Sequence, residues 1–471
     1  MNEQITFYSV MLRRFYHRFQ NINHRGVSIP RLLSFRYLVY VNQFRQDLQC
    51  KEHLPYWREE IDRLDETKIY DWSDEPYIYD AHPGSVILMR GGFGDIAASH
   101  LPKNRFFLIS PNQSEVDLIK LNRPDLVSHS ITNYYRENPK AVSTLTAQIA
   151  QTINKSQDDP ILGAPELLEW FKGILPEAIS YLDAIQLLID TNNIGAVLTI
   201  SSTYSMDGAM NLVARANRIP SFTLQHGIIA EENLYAHIPI LATQKMIWGN
   251  TSHTWFQNFG YPESRLSVIG SPRFDEIFNR KWWGKEKLHQ VLKIDPSHQI
   301  IVFTAQIFHY NQIVAPVLLE GLKNIPGITV LMILHPGDDP VPHEQLAEGY
   351  PNCKVIRSGH ISLYDALSGA DLFITYFSTS AFEAMLFKLP LVTLEPVPPT
   401  FSLGDQNVSL KATNAAELHN LIKKLLSDKS FRAKNIENYQ KFLADFCIPD
   451  GLSGKRLFEA IEKTCQDGGS A

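Results

Sequence analysis

The chain has 471 residues, 44% of them hydrophobic and 20% charged, which is too long for one ordinary domain and rich enough in apolar side chains to bury more than one core. A net charge of −6 argues against a general nucleic-acid binder. The four cysteines, Cys50, Cys353, Cys447 and Cys465, are far apart and form no C-x-x-C pair, which excludes a zinc site and a disulfide framework and fits a reducing cytoplasm.

No stretch approaches the roughly 18 uninterrupted apolar residues of a membrane span, and the apolar part of the N-terminus is too short and too aromatic for a signal peptide. The expected location is the cytoplasm, with peripheral contact at the inner face of the membrane as an added reading. That reading comes from residues 1–45. Glu3 is their only acid, against Arg13, Arg14, Arg18, Arg25, Arg31, Arg36 and Arg45, interleaved with Phe15, Tyr16, Phe19, Phe35, Tyr37 and Tyr40. Arginines attract lipid headgroups and aromatics suit the interface. The plainer reading, a helical extension that packs its aromatics on the main body, is favoured because basic amphipathic patterns are common on ordinary surfaces.

From Ser85 the pattern becomes strand, turn, helix. Short apolar runs lie at Ser85 to Met89, Phe106 to Ser110, Ala196 to Ile200, Ser221 to Leu224, Lys245 to Trp248 and Leu266 to Ile269. Helical periodicity runs from Pro165 to Asp190 and from Asp207 to Asn217. The irregular stretch Phe278 to Glu286 reads as a linker. The alternation then restarts, with runs at Ile300 to Thr304, Thr329 to Leu334, Lys354 to Ile356, Leu372 to Thr375 and Leu391 to Leu394, and helices that include Ser380 to Phe387. Three helical stretches beginning near Ala415, Phe431 and Gly454 close the chain. Strands alternating with helices imply parallel sheets covered on both faces. The expectation is α/β: a mostly helical extension at 1–80, a Rossmann-like acceptor domain at 81–277, a Rossmann-like nucleotide-donor domain at 287–440, and a helical segment at 441–471 able to cross back to the first domain. Two such domains face across a cleft, and ligands of open α/β sheets bind at the carboxyl ends of the strands.

The distinctive residues fall in those positions. His226, in Leu224-Gln225-His226-Gly227, ends a strand and is placed as a general base, with Glu231 and Glu232 in the following loop as its orienting partners or rivals. His335, in Leu334-His335-Pro336-Gly337, ends a strand of the second domain and is placed to meet a phosphate. Ser378, Thr379 and Ser380 open a helix, where hydroxyls and free N–H groups make an anion site. Glu383 follows within one turn, as a capping residue or an acceptor for ribose hydroxyls. Gly91, Gly92, Gly94 and Asp95 form a turn after the first strand that admits an acceptor or phosphate. No Asp is followed two residues later by another Asp, so a D-x-D metal clamp is missing, and neither a metal nor another cofactor is expected.

In order along the chain, Leu224-Gln225-His226-Gly227, Gly270-Ser271-Pro272-Arg273-Phe274-Asp275, Phe303-Thr304-Ala305-Gln306, His335-Pro336, and Asp371 to Thr375 with Ser378-Thr379-Ser380 and Glu383-Ala384 resemble the GT-B enzymes of bacterial surface-carbohydrate synthesis. These include capsule polysaccharide transferases, CDP-glycerol glycerophosphotransferases and polysialyltransferase-like enzymes. The resemblance covers about Ala196 to Gly454. It implies that His226 activates the acceptor hydroxyl, that His335, Ser378, Thr379 and Ser380 bind donor phosphate, and that Glu383 holds the ribose. Arg273, Thr304 and Gln306 join the donor set. The implied partners are a nucleotide-activated sugar and a glycan or lipid-linked acceptor, with no nucleic acid. Ile228-Ile229 after the H-G element departs from the glycerophosphotransferases, and Asn233 after Glu231-Glu232 departs from the bacterial sialyltransferases. A metal-independent, inverting glycosyltransferase is therefore expected. The alternatives are a nucleotide-sugar 2-epimerase, a CDP-alditol phosphotransferase and a non-catalytic nucleotide-sugar binder.

Overall fold

A computed structural model of the chain describes residues 3–43, 76–157, 159–229, 237–335, 338–357, 359–399 and 401–470. Its contacts divide into two compact units, Met1–Ile269 with Gly454–Ala471, and Gly270–Ser453. The division falls ahead of the irregular stretch at 278–286, which carries the end of one short helix (Asp275–Asn279) and the start of another (Gly284–Leu292).

The first unit is built on strands β1 (Val86–Arg90), β2 (Phe106–Ser110), β3 (Ser128–Ser130), β4 (Ile194–Thr199), β5 (Ser221–Leu224), β6 (Gln244–Ile247) and β7 (Leu266–Val268). They form one parallel sheet in the order β7-β6-β5-β4-β1-β2-β3. β1 lies inside the sheet. β2 and β3 run off one side, and the chain then returns to place β4 on the other, so the strand order reverses between β1 and β4. Such a reversal opens a crevice at the carboxyl ends of the two strands. β3 was not legible as an apolar run, because Ser-His-Ser has no hydrophobic signal and sits at the sheet edge.

Helices α1 (Glu3–Arg18), α2 (Ser34–Asn42), α3 (Pro165–Thr191) and α4 (Ser205–Ala216) cover one face. Most of the aromatics of the N-terminal segment are buried here. Phe15, Phe19 and Tyr37 lie in the same core as Phe171, Leu175 and Leu182 of α3, and Phe15 stacks on Tyr37 with ring centroids 3.9 Å apart. The interfacial reading of residues 1–45 thus loses its aromatic half, since rings spent in a core cannot enter lipid. Part of its basic half is also engaged: Arg14 pairs with Asp159, Arg25 with Asp183 and Arg36 with Glu177. The closing helix, Ser453–Asp467, belongs to this unit and sets Leu457, Phe458, Ile461 and Cys465 against Ile87, Met89 and Leu198.

The second unit repeats the plan. Strands β8 (Gln299–Thr304), β9 (Ile328–Ile333), β10 (Cys353–Ile356), β11 (Leu372–Thr375), β12 (Leu391–Leu394) and β13 (Leu410–Ala412) form a parallel sheet in the order β10-β9-β8-β11-β12-β13. The strand order reverses between β8 and β11. Helices α5 (Phe308–Leu322), α6 (Ser380–Leu386), α7 (Ala415–Ser427) and α8 (Lys429–Phe446) pack around it. α7 and α8 begin at Asn414 and Asp428, whose side chains accept the Glu417 and Phe431 N–H groups, each cap supplying about 1 kcal/mol. Both units are Rossmann-like α/β bodies. No helix among the described residues is long and apolar enough to cross a membrane.

Candidate active site

In the first unit the reversal point brings together Arg90 at the end of β1, Ile200 and Ser201 just beyond β4, and His226 just beyond β5. The turn carrying His226 is pinned by its neighbour. Gln225 is buried; its side-chain amide donates to the Gly227 carbonyl at 3.0 Å and accepts from the Trp248 N–H at 3.1 Å, while its own carbonyl takes the Trp248 indole N–H at 2.7 Å. The polar Gln in an otherwise apolar strand end therefore fixes the histidine turn to β6.

His226 Nδ1 lies 2.9 Å from the Ile200 carbonyl oxygen. A carbonyl only accepts, so Nδ1 carries the proton and the lone pair of the neutral ring sits on Nε2. Burial, reinforced by the nearby Lys245 charge, lowers its pKa to about 4, so the ring is neutral at physiological pH. His237 stacks on it at 5.0 Å. It is fully buried, and burial holds it neutral as well.

Lys245 was not read as a site residue. It lies wholly buried on β6, and its ammonium is 3.5 Å from the Leu224 carbonyl and 5.9 Å from the Phe256 ring centre. No carboxylate of a described residue pairs with it, and burial brings its pKa down to about 7. In the sequence it sits inside an apolar run, where nothing distinguishes it from a strand-edge lysine. Glu231 and Glu232 lie outside the described residues.

The glycine turn has local structural reasons. A Cβ on Gly91 would stand 2.3 Å from Ser110 Oγ and 2.5 Å from Ile119 Cδ1, and one on Gly94 would stand 2.8 Å from Leu126 Cδ1. Gly92 alone meets open space. Asp95 pairs with Arg123, which also holds Asp125.

In the second unit Thr304 is the hub of the reversal point. Its hydroxyl bonds to Thr375 Oγ1 at 3.0 Å and Ser380 Oγ at 2.8 Å, which ties the ends of β8 and β11 to the start of α6. Ser380 is thereby turned inward. Ser378 and Thr379 remain half-exposed, and Ser378 Oγ accepts the Ser380 N–H at 3.3 Å. Gln306 sits just past β8, its amide nitrogen buried and without a hydrogen-bond partner among the described residues. Glu383 is fully buried. Its partner is the half-exposed Arg273 guanidinium, and neither of its oxygens has a further hydrogen bond among the described residues. Burial pushes its carboxyl up and Arg273 partly offsets that. The Arg273 carbonyl in turn takes the Tyr364 hydroxyl at 3.2 Å.

His335 is exposed at the end of β9, and its carbonyl accepts the Asp338 N–H at 3.0 Å. Asp338 is held by the buried His343 at 2.8 Å, and His343 by Asn311 of α5 at 2.7 Å. The sequence showed the acidic loop but not its anchor, because His343 is eight residues beyond His335 in an unremarkable helix. Among the described residues no three His, Cys, Asp or Glu side chains group as a metal site.

Solved structures share this fold. A UDP-N-acetylglucosamine 2-epimerase is 14% identical, with a TM-score of 0.53 over 80% of this chain and 95% of its own. The UDP-GlcNAc 2-epimerase of Neisseria meningitidis, bound to UDP-GlcNAc, is 12% identical with a TM-score of 0.53 over 80% of this chain and 99% of its own. The wall teichoic acid polymerase TagF is 13% identical with a TM-score of 0.49, over 91% and 98%. No curated protein matches the chain. Residues 248–463 match the family model of the CDP-Glycerol:Poly(glycerophosphate) glycerophosphotransferases. Fold and family match together point to the class, enzymes of the GT-B transferase type. The particular likeness within it is to the glycerophosphotransferases, across the whole second unit and the ends of the first that flank it.

Proposed function

We propose that the chain transfers a sugar from a nucleoside-diphosphate or -monophosphate donor to a hydroxyl of a surface-polysaccharide or lipid-linked glycan, without a metal and with inversion. The observation that carries this reading is the fixed tautomer of His226, a neutral imidazole at a strand end with its lone pair on Nε2. Such a group takes the acceptor proton as the hydroxyl attacks, while the second unit's reversal point, with His335, Ser378 and Thr379, receives the departing phosphate. Glu383 is assigned to the ribose hydroxyls, and in this reading it exchanges Arg273 for them when the donor binds. The family match favours a second reading, in which the donor is a CDP-alditol and the bond formed is a phosphodiester. The same base and phosphate site serve both.

His226→Ala should depress turnover by a factor of about 100 to 10,000 while donor affinity stays nearly constant. CDP-glycerol and UDP-sugars, each with and without a glycan acceptor, are the substrates to assay, and conversion of UDP-GlcNAc without acceptor would mark an epimerase instead. Alanine changes at Glu231 and Glu232 belong in the same series. If His226→Ala keeps wild-type turnover and one glutamate variant is dead, the base is the carboxylate. Phosphate charge is assigned to His335 and to the hydroxyls and N–H groups at the start of α6, so chelator should leave the activity intact. Loss in chelator, restored by magnesium or manganese, would overturn that assignment.

A further inference from the structure

The residue that fixes His226, Ile200, is itself held from its other side. Asp207, in the first turn of α4, is completely buried. One of its carboxylate oxygens accepts the Ile200 N–H at 3.0 Å, and the other pairs with Arg90 Nη1 at 2.6 Å. Asp207 therefore holds Ile200 by its N–H group, while the carbonyl of the same residue receives His226 Nδ1 at 2.9 Å. One turn further along α4, Asn211 adds a second hold, donating to the Ser201 carbonyl at 3.4 Å and lying 3.3 Å from Thr199 Oγ1. Positions four apart lie on one helix face, so this face of α4 is given over to the segment beyond β4.

We propose that Asp207 is a positioning residue for His226: it holds Ile200 so that its carbonyl keeps the imidazole protonated on Nδ1 and leaves the lone pair on Nε2. Arg90, whose other guanidinium nitrogen lies 3.4 Å from Glu115, holds the Asp207 carboxylate in turn. A buried ion pair adds little net stability over an apolar pair of similar volume, so stability alone gives weak reason for a charged group here. Control of a base does. The proposal rests on reading His226 as the base, but its test does not use turnover.

The test compares two variants of the full chain labelled with 15N-histidine, the His226 signals being assigned by their loss in His226→Asn. Arg90→Met with Asp207→Asn keeps an acceptor oxygen for the Ile200 N–H, and Arg90→Met with Asp207→Ala removes it. Neither leaves an unpaired buried charge. At pH 7.5 the unmutated chain and the Asn variant should show His226 protonated on Nδ1. The Ala variant should show signals averaged between the two tautomers. The same fixed tautomer in both variants, or its loss in both, would overturn the proposal. If the Ala variant does not fold, hydrogen exchange of the unmutated chain decides: the Ile200 amide, which bonds to Asp207, should exchange as slowly as the amides inside β4, and fast exchange there overturns the assignment. Wild-type turnover in His226→Ala would end the reading of the base without touching these results.

Discussion

Lys245 carries an electrostatic conflict at the scale of a single residue. Its ammonium is wholly buried, has no carboxylate partner among the described residues, and bonds to one carbonyl at a long 3.5 Å. An unfolded lysine keeps its proton to about pH 10.4, whereas here burial brings the pKa down to about 7. The unfolded chain therefore binds more protons between those limits, and stability from this group rises with pH across that window. Below about pH 7 both states are protonated and the burial cost is fully present. Lys245→Met keeps the stem and removes the charge. It should raise the melting temperature at pH 6, by on the order of 3 kcal/mol of added stability, and gain much less at pH 9.5. An equal gain at both values would mean that the charge is not what costs. Residues of this kind explain why the site was only half legible. His226 announced itself because a histidine before glycine at a strand end is exposed to a ligand. Lys245, His237 and Asp207 are read as ordinary strand, loop and helix positions until the fold turns them inward.

Among the elements, the N-terminal extension is where composition pointed two ways. Arginines and aromatics together fit a lipid interface and fit a packed helix equally well, because the two differ only in what the rings face. Here they face α3. Phe15 is buried, stacked on Tyr37 and set 6.0 Å from Phe171. Phe15→Ala should therefore cost about 3–5 kcal/mol of unit stability, seen as a lower denaturation midpoint with an unchanged denaturant slope. Binding to anionic vesicles should not change. A variant of normal stability with weakened vesicle binding would restore the interfacial reading. The strands of both sheets were legible to within a residue or two where they are continuous apolar runs, since a strand covered on both faces must be apolar throughout. The edge strands β3 (Ser-His-Ser) and β13 (Leu-Lys-Ala) escaped because an edge has one neighbour and needs no such run.

For the whole molecule, the sequence shows two α/β bodies but does not show which owns the closing helix. That depends on where an amphipathic helix finds an apolar face, and Leu457, Phe458 and Ile461 find it on the first unit. The second unit, Gly270–Ser453, thus carries every residue assigned to the donor and is continuous in sequence. A ligand that binds one folded unit and not its unfolded form stabilises that unit by RT ln(1 + [L]/Kd), about 2.7 kcal/mol at a hundredfold excess over Kd. For a unit of this size that is a rise of about 5–10 °C. Calorimetric scans of the full chain with CMP, CDP, UDP, GDP and ADP in turn should therefore show one nucleotide raising the transition of the second unit. The first unit's transition should stay in place, which limited proteolysis across the scan would identify. His335→Ala should shrink the rise for the nucleotide and leave any rise for the bare nucleoside, since the proposed role of His335 is to meet phosphate and not base. CDP as the effective ligand would favour the alditol phosphate reading, and UDP or GDP the sugar. A nucleotide that instead raised the first unit's transition alone would place the donor on the wrong body and overturn the assignment of Ser378, Thr379, Glu383 and His335 together.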